Sequence, residues 1–170
     1  MNKQSSRIPY GKNVYDKKEI NAVIKTLNKS TQMGFSVDSF EDKISKISGK
    51  KYGLMVNSGS SALILALKVL NLKRGSEVIT PCLNFGTAIS SIMLSGLNPI
   101  LVDCEIDTLQ IDISKIEKKI TKKTKAILAP NLIGNIADWK KLRFIANKYK
   151  LKLIEDSADT LGGMINNKPT

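Results

Sequence analysis

Short apolar runs alternate along the chain with longer stretches in which apolar residues recur at helical spacing. The runs are typical of buried strands and the longer stretches of amphipathic helices. Strands are predicted at 52–56, 77–80, 99–102, 125–129 and 151–154, and helices at 17–28, 37–48, 62–70, 84–94, 114–120 and 139–150. Asp16 and Ser114 are predicted helix caps, and residues 7–11 an extended entry. The alternation predicts an α/β fold, a three-layer α-β-α arrangement with a mainly parallel sheet.

Polar residues other than lysine follow most of the predicted strands directly. They are Asn57–Ser61, Pro81–Phe85, Asp103, Asn131 and Asp156. The carboxyl ends of parallel strands meet at one edge, and open α/β sheets bind their ligands there. We therefore expect a functional site at this edge.

The segment Asn57–Ser61 joins a predicted strand to a predicted helix. The first N–H groups of a helix are unpaired, and serine hydroxyls add donors, so the segment can bind an anion such as phosphate. It matches neither a P-loop nor a dinucleotide-binding glycine motif. An ordinary serine-capped helix fits the same residues equally well.

The segment Leu151–Gly163 begins as an apolar run and ends in two adjacent carboxylates, Glu155 and Asp156. A buried carboxylate needs a cationic partner, because burying it unpaired is costly. The alternative is that both acids only cap a following helix. With a phosphate-binding helix start and Phe85 as a stacking ring, Asp156 would suit the protonated ring nitrogen of pyridoxal phosphate.

The composition argues against several classes of function. The chain has 170 residues, a net charge of +12, two cysteines and no histidine. Without histidine there is no Ser/His or Cys/His nucleophilic pair, and Cys82 and Cys104 lack zinc-ligand spacing. The lysine clusters at 115–125 and 140–152 carry no interleaved aromatics, so we expect a solvated surface and no nucleic acid. No apolar run is long enough to span a bilayer and no secretory signal is evident, so we expect no membrane association and a cytoplasmic location.

Several motifs together resemble the DegT/DnrJ/EryC1/StrS family of fold-type I pyridoxal-phosphate enzymes. They are NSGSSALILAL at 57–67, GSEVITP at 75–81, GLNPILVDCEIDTLQID at 96–112, KTKAI at 123–127 and LIEDSADTLGG at 153–163. The resemblance implies an aminotransferase that acts on nucleotide-linked keto-sugars, for surface glycans or lipopolysaccharide, as a homodimer. It implies that Ser60 and Ser61 hold the cofactor phosphate, that Phe85 stacks on the ring and that Asp156 pairs with the ring nitrogen.

Three positions, in two parts of the chain, depart from the aminotransferase pattern and resemble the family's 3-dehydrase branch. Asp159, also expected at the cofactor, stands where aminotransferases usually have glutamine, and Asn131 and Ile133 lie where they usually have histidine and tyrosine. That branch uses pyridoxamine phosphate and an iron–sulfur reductase partner. The resemblance therefore leaves a 3-dehydrase as the alternative function.

The resemblance also implies an incomplete enzyme. Residues 1–50 are expected to form a helical segment that packs on the large domain, and residues 51–170 part of that domain, without the small domain. The Schiff-base position, lysine in aminotransferases and histidine in 3-dehydrases, is expected beyond Thr170, so the chain alone is expected to be inactive. A catalytically inactive phosphate-binding domain is the second alternative.

Overall fold

The computed structural model describes residues 12–170, so the expected entry at residues 7–11 lies outside the described part. The helices are α1 Lys17–Lys29, α2 Phe35–Ile47, α3 Gly59–Val69, α4 Gly86–Leu94, α5 Ile113–Ile116 and α6 Trp139–Lys148. The strands are β1 Glu77–Pro81, β2 Asn98–Val102, β3 Thr124–Pro130, β4 Lys152–Asp156, β5 Met164–Ile165 and β6 Lys168–Pro169. The chain divides into two compact units, Met1–Asp38 and Ser39–Thr170. The division expected at residue 50 stays a prediction.

Helix α1 in the first unit begins with a capping box. The Asp16 carboxylate accepts the N–H of Lys18 at 2.7 Å, and the Glu19 carboxylate accepts the N–H of Asp16 at 2.8 Å. This arrangement satisfies two of the N–H groups that a helix start leaves unpaired. Asp16 is therefore confirmed as the predicted cap.

The second unit is built on a sheet of four parallel strands in the order β2-β1-β3-β4. The carboxyl ends of neighbouring strands are in register, since Pro81 pairs with Val102 and Pro130 pairs with Asp156. The central strand β3 is buried from Ala126 to its end. The predicted α/β class and mainly parallel sheet are confirmed.

Helices cover both faces of this sheet, because successive strand residues point to opposite faces. Val78 packs with Leu63 and Leu67 of α3 and with Ala88 and Ile92 of α4. Its neighbour Ile79 packs on the other face, among residues of α5 and α6. The two cores give the predicted three layers, with α3 and α4 on one face and α5 and α6 on the other.

The strand expected at 52–56 is wrong. These residues belong to no strand, and Tyr52 and Leu54 are 78% and 73% exposed. The N–H of Met55 donates to the Glu41 side chain of α2 at 2.7 Å, where a strand would use a neighbouring backbone. A Cβ on Gly53 would lie 2.5 Å from the Glu41 carbonyl oxygen. The segment therefore passes along α2 through a close backbone contact that only glycine permits.

Three smaller differences concern the later part of the chain. The cap of α5 is Asp112, whose side chain accepts the N–H of Ser114, so Ser114 is not the cap as expected. The antiparallel β5-β6 hairpin was not expected from the sequence. Within residues 12–170, none of the helices combines the length and apolar character needed to cross a bilayer.

Candidate functional site

The predicted site residues collect at the carboxyl edge of the sheet. Only residues 70–76 separate the end of α3 from the start of β1, so α3 runs back alongside the sheet and its start lies near the carboxyl end of β1. Helix α4 begins five residues after β1 ends, at the same edge. The edge therefore receives two helix starts and the ends of four parallel strands, as expected for a ligand site in an open α/β sheet.

One serine caps the start of α3, and further serines lie in its first turn. Ser58 is the cap, and its Oγ accepts the N–H of Ser61 at 3.1 Å. The same hydroxyl donates to Ser61 Oγ at 3.1 Å. The N–H groups of Gly59 and Ser60 lie in the first turn, where no acceptor from the helix itself is available. Ser60 and Ser61 thus stand at a helix start suited to an anion.

Phe85 immediately precedes α4 in extended conformation, and its side chain is 68% exposed. The backbone around it is fixed locally. Its N–H donates to Asn84 Oδ1 at 2.7 Å, and Asn84 Nδ2 donates to the buried Thr80 hydroxyl at 3.2 Å. An apolar ring that is exposed at a ligand edge, on a fixed backbone, is available for stacking.

Asp156 and Glu155 point to opposite faces of the sheet. Ile154 packs with the core beneath α3 and α4, whereas Leu153 packs with the other core. Because side chains alternate along β4, Asp156 shares the face of Ile154, and Glu155 shares the face of Leu153. Asp156 therefore lies on the same face as the helices that begin beside Ser60 and Phe85.

The Asp156 carboxylate is only partly engaged. Its Oδ1 accepts the N–H of Ala158 at 3.1 Å, and within residues 12–170 no side-chain or backbone donor bonds to Oδ2. The helix-capping alternative is not supported, because no helix follows β4 in the described residues. We refer to Ser60, Ser61, Phe85 and Asp156 together as the open edge.

Asn131 is fully buried and organises the opposite face, a role that the sequence interpretation missed. Its Nδ2 donates to Glu155 Oε1 at 2.8 Å and to Ser157 Oγ at 3.0 Å. Its Oδ1 accepts the N–H of Ala137 at 3.0 Å and the indole N–H of Trp139 at 2.8 Å. We call these five residues the amide cluster. It uses the full hydrogen-bonding capacity of the Asn131 side chain.

The amide cluster also fixes the end of β4. Ser157 Oγ donates to Glu155 Oε1 at 2.6 Å, so the residues before and after Asp156 are tied to each other and to Asn131. The backbone N–H of Asn131 donates to the Asp156 carbonyl at 2.8 Å. Asp156 is thus held through its neighbours while its own side chain stays available. A lone asparagine after an apolar run was the only sequence signal for this arrangement.

Asp159 lies beside the cluster and restrains a strained turn. Its Oδ2 accepts the N–H of Ile133 at 3.1 Å. Ile133 has φ 50° and ψ 36°, a left-handed conformation that β-branched residues rarely adopt. Gln110 holds the same turn through both backbone groups of Leu132, at 3.3 and 3.1 Å. One carboxylate oxygen of Asp159 is therefore committed to the protein, and its expected contact with the cofactor stays a prediction.

The cavity of about 200 Å³ near β4 does not coincide with the open edge. It is lined by Glu155, Ser157, Lys50 and the turn at 160–163, among others, and by none of Ser60, Ser61, Phe85 or Asp156. The sheet topology brings the open-edge residues to one edge and one face. In the described part of the chain no hydrogen bond joins Ser60 or Ser61 to Asp156.

Known proteins match this chain over nearly its whole length. The model of the DegT/DnrJ/EryC1/StrS aminotransferase family matches residues 13–170. The GDP-4-keto-6-deoxy-D-mannose 3-dehydratase of Yersinia pseudotuberculosis is 35% identical over 99% of this chain and 44% of its own length. The dTDP-3-amino-3,6-dideoxy-alpha-D-galactopyranose transaminase of Aneurinibacillus thermoaerophilus is 40% identical over 80% of this chain and 38% of its own.

A solved structure of the same kind of enzyme matches the fold of this chain. The E. coli GDP-4-keto-6-deoxy-D-mannose-3-dehydratase, with bound hydrated PLP, superposes with a TM-score of 0.90 and 33% identity, over 96% of this chain and 44% of that one. The family resemblance and the fold expected from the sequence are confirmed. The chain spans less than half the length of these relatives.

Proposed function

The chain belongs to the DegT/DnrJ/EryC1/StrS aminotransferase family, and from this premise we propose that it forms the cofactor-binding part of an enzyme that modifies nucleotide-linked keto-sugars. The proposed cofactor is pyridoxal phosphate or its pyridoxamine form. The observation that carries the proposal is the open edge: a serine-rich helix start, an exposed ring and a carboxylate with an available oxygen share one edge and one face.

The residues present fit this cofactor. The hydroxyls of Ser60 and Ser61 and the first-turn N–H groups of α3 would hold the phosphate. The exposed ring of Phe85 would lie against the pyridine ring. Asp156 would accept a hydrogen bond from the protonated ring nitrogen, and when bound, the cofactor would supply the electron sink that both proposed reactions require. Glu155 is not assigned a role there, because it faces the amide cluster.

The first proposed reaction is amino-group transfer to the keto carbon of the sugar, which the family match and the transaminase relative support. Asp156 contributes by keeping the proton on the ring nitrogen. It needs no proton transfer of its own to do so, because an anionic partner favours the protonated form of the nitrogen.

The second candidate is removal of the sugar 3-hydroxyl, and two observations favour it. The 3-dehydratase relative matches 99% of the chain. Asp159 carries a carboxylate where aminotransferases of the resembled pattern have an amide, so an ionised Asp159 can only accept hydrogen bonds. An iron–sulfur reductase partner belongs to this second candidate alone. A homodimer and a cytoplasmic location are proposed for both.

Cofactor binding is tested by fluorescence titration of the protein with pyridoxamine phosphate, which forms no imine with surface lysines. Asp156→Asn is expected to weaken binding at least tenfold, since the ring nitrogen loses its anionic partner. Phe85→Ala should weaken binding less, because ring stacking contributes only about 0.5–1.5 kcal/mol beyond the burial of apolar area. Asp107→Asn is the control, an exposed acid without a side-chain bond in the described residues. Equal affinity of Asp156→Asn and the wild type would contradict the proposal and leave the inactive phosphate-binding domain.

The two reactions are separated by mass spectrometry of the sugar product. The full-length protein is incubated with a nucleotide-linked 4-keto-sugar and glutamate. Amino transfer replaces the keto oxygen by an amine, whereas 3-dehydration removes a hydroxyl oxygen and adds no nitrogen. A product without a new amine would remove the first candidate, and an amino product that retains its 3-hydroxyl would remove the second.

A further inference from the structure

The two cysteines of the chain lie at the ends of two adjacent strands. Cys82 follows β1 directly, and Cys104 comes two residues after β2. The parallel register pairs Pro81 with Val102, and the N–H of Cys82 continues it by donating to the Val102 carbonyl at 2.8 Å. Cys82 therefore stands opposite Asp103, the residue before Cys104.

One oxygen of Asp103 contacts both cysteines. The Cys82 thiol lies 3.8 Å from Asp103 Oδ1, and the backbone N–H of Cys104 donates to the same oxygen at 2.9 Å. Neither cysteine lies within a strand, and the Cys82 side chain is a hydrogen-bonding neighbour of the Cys104 thiol, so the two thiols lie beside each other. A disulfide joins cysteines whose Cα atoms are roughly 4.4–6.8 Å apart and whose Cβ atoms face each other.

The two thiols differ in exposure. Cys82 is exposed, whereas Cys104 is partly buried. Burial is the largest influence that raises the pKa of Cys104, and the neighbouring Cys82 thiol raises that pKa further. The raised pKa disfavours the Cys104 thiolate, so Cys104 is the less reactive of the two thiols toward an oxidant. Exposure suits Cys82 for the first attack on an oxidant, and proximity suits Cys104 for the second step.

We propose that Cys82 and Cys104 form a modification site at which a hydroperoxide converts the two thiols into an intramolecular disulfide. With hydrogen peroxide as the hydroperoxide, the Cys82 sulfur attacks one oxygen, the O–O bond breaks, the thiol proton passes to the departing hydroxide, and water leaves with Cys82 as a sulfenic acid. The Cys104 sulfur then attacks the Cys82 sulfur, the S–O bond breaks, the Cys104 thiol proton passes to the departing hydroxide, and a second water leaves. With hydrogen peroxide, one peroxide is reduced by two electrons and two thiols are oxidised.

The consequence is local to the open edge. Phe85 follows Cys82 by three residues, so a bond to Cys104 ties the segment that carries this ring to the end of β2. This site goes beyond the proposed function, and its formation does not depend on the cofactor or on the sugar.

The test treats the native chain with hydrogen peroxide and follows intact mass, reactive thiols and the peptide map. The expected product is a single polypeptide chain that has lost two hydrogens, with Cys82 joined to Cys104, both alkylatable thiols lost and both restored by dithiothreitol. Cys104→Ser should instead accumulate a sulfenic acid at Cys82 that dimedone traps. Cys82→Ser should form no intramolecular disulfide and react more slowly.

The same treatment in urea serves as the control for folding. If the strand ends bring the thiols together, unfolding should slow formation of the intramolecular disulfide at least severalfold. Independent oxidation of both cysteines, cross-links only between chains, or an equal rate in urea would each overturn the proposal.

Discussion

Glu155 and Asp156, the two adjacent acids at the end of β4, differ in the hydrogen bonds that their side chains make. Glu155 belongs to the amide cluster, where the Asn131 side chain makes four hydrogen bonds at 2.8–3.0 Å. Asp156 belongs to the open edge, and within residues 12–170 its carboxylate accepts one hydrogen bond, from the N–H of Ala158. The alternation of side chains along a strand is enough to send neighbouring residues into these two settings.

The amide cluster stabilises the fold, whereas the open edge keeps groups available for the ligand that we propose. In the amide cluster the polar groups satisfy one another, and a fully satisfied buried network specifies one arrangement of the backbone. At the open edge, donors, a ring and a carboxylate oxygen stay available. The closed side fixes the position of the open side, because Glu155 and Ser157 flank Asp156. If the open edge is the ligand site that we propose, its backbone is already held in place and needs little rearrangement on binding.

Asn131→Ala should have the largest effect on stability. It removes one of the two donors to Glu155 Oε1 and leaves the N–H groups of Ala137 and Trp139 without their acceptor, and each unsatisfied buried group costs about 1–3 kcal/mol. We expect the free energy of unfolding to fall by about 3 kcal/mol or more. The measurement is urea unfolding followed by the fluorescence of Trp139, the only tryptophan and itself a member of the cluster.

Asn135→Ala is the matched control for this change. Asn135 is exposed in the same loop, and its side chain donates one hydrogen bond, to the Thr108 carbonyl at 3.0 Å. Its loss should cost about 1 kcal/mol or less. If Asn131→Ala costs no more than Asn135→Ala, the amide cluster does not stabilise the fold as described.

Gly53→Ala should have the next largest effect, on the segment that leads to the open edge. The added Cβ would meet the backbone oxygen of Glu41, which cannot rotate away, so we expect a loss of about 1–3 kcal/mol. Gly86→Ala, at the start of α4, is the control, because nothing lies within 4 Å of its added Cβ. Equal stability of both variants would show that the close contact with α2 is not maintained.

The sheet and its helices could be predicted because each element signals itself locally. The run EVITP gives β1, and Ile100 to Val102 give most of β2, since buried parallel strands are short and apolar. The segment 52–56 is equally apolar but forms no strand. Its conformation depends on the bond to Glu41 and on the close approach at Gly53. Both are contacts with helix α2, which the periodicity of the segment cannot reveal.

The site was predictable only in part, for the same reason. Asp156 ends β4 and the serine turn begins α3, so position in the sequence indicates the sheet edge. The buried amide of Asn131 has partners up to 26 residues away, and the strained turn at Ile133 depends on Asp159, also 26 residues away. Hydrogen bonds between side chains so distant in sequence arise from the fold and leave no local pattern.

The smallest expected effect is on the serine turn, where two substitutions distinguish the residue that caps α3 from a residue that binds the ligand. Ser58→Ala removes the acceptor of the Ser61 N–H and should lower the free energy of unfolding by about 1 kcal/mol. Ser60→Ala removes no such cap and should change stability by less than about 0.5 kcal/mol. Urea unfolding measures both, and titration with pyridoxamine phosphate should show the reverse order, with weaker binding in Ser60→Ala. If Ser60→Ala binds like the wild type, the phosphate contact belongs to the backbone and Ser61, and the open edge has one ligand group fewer than proposed.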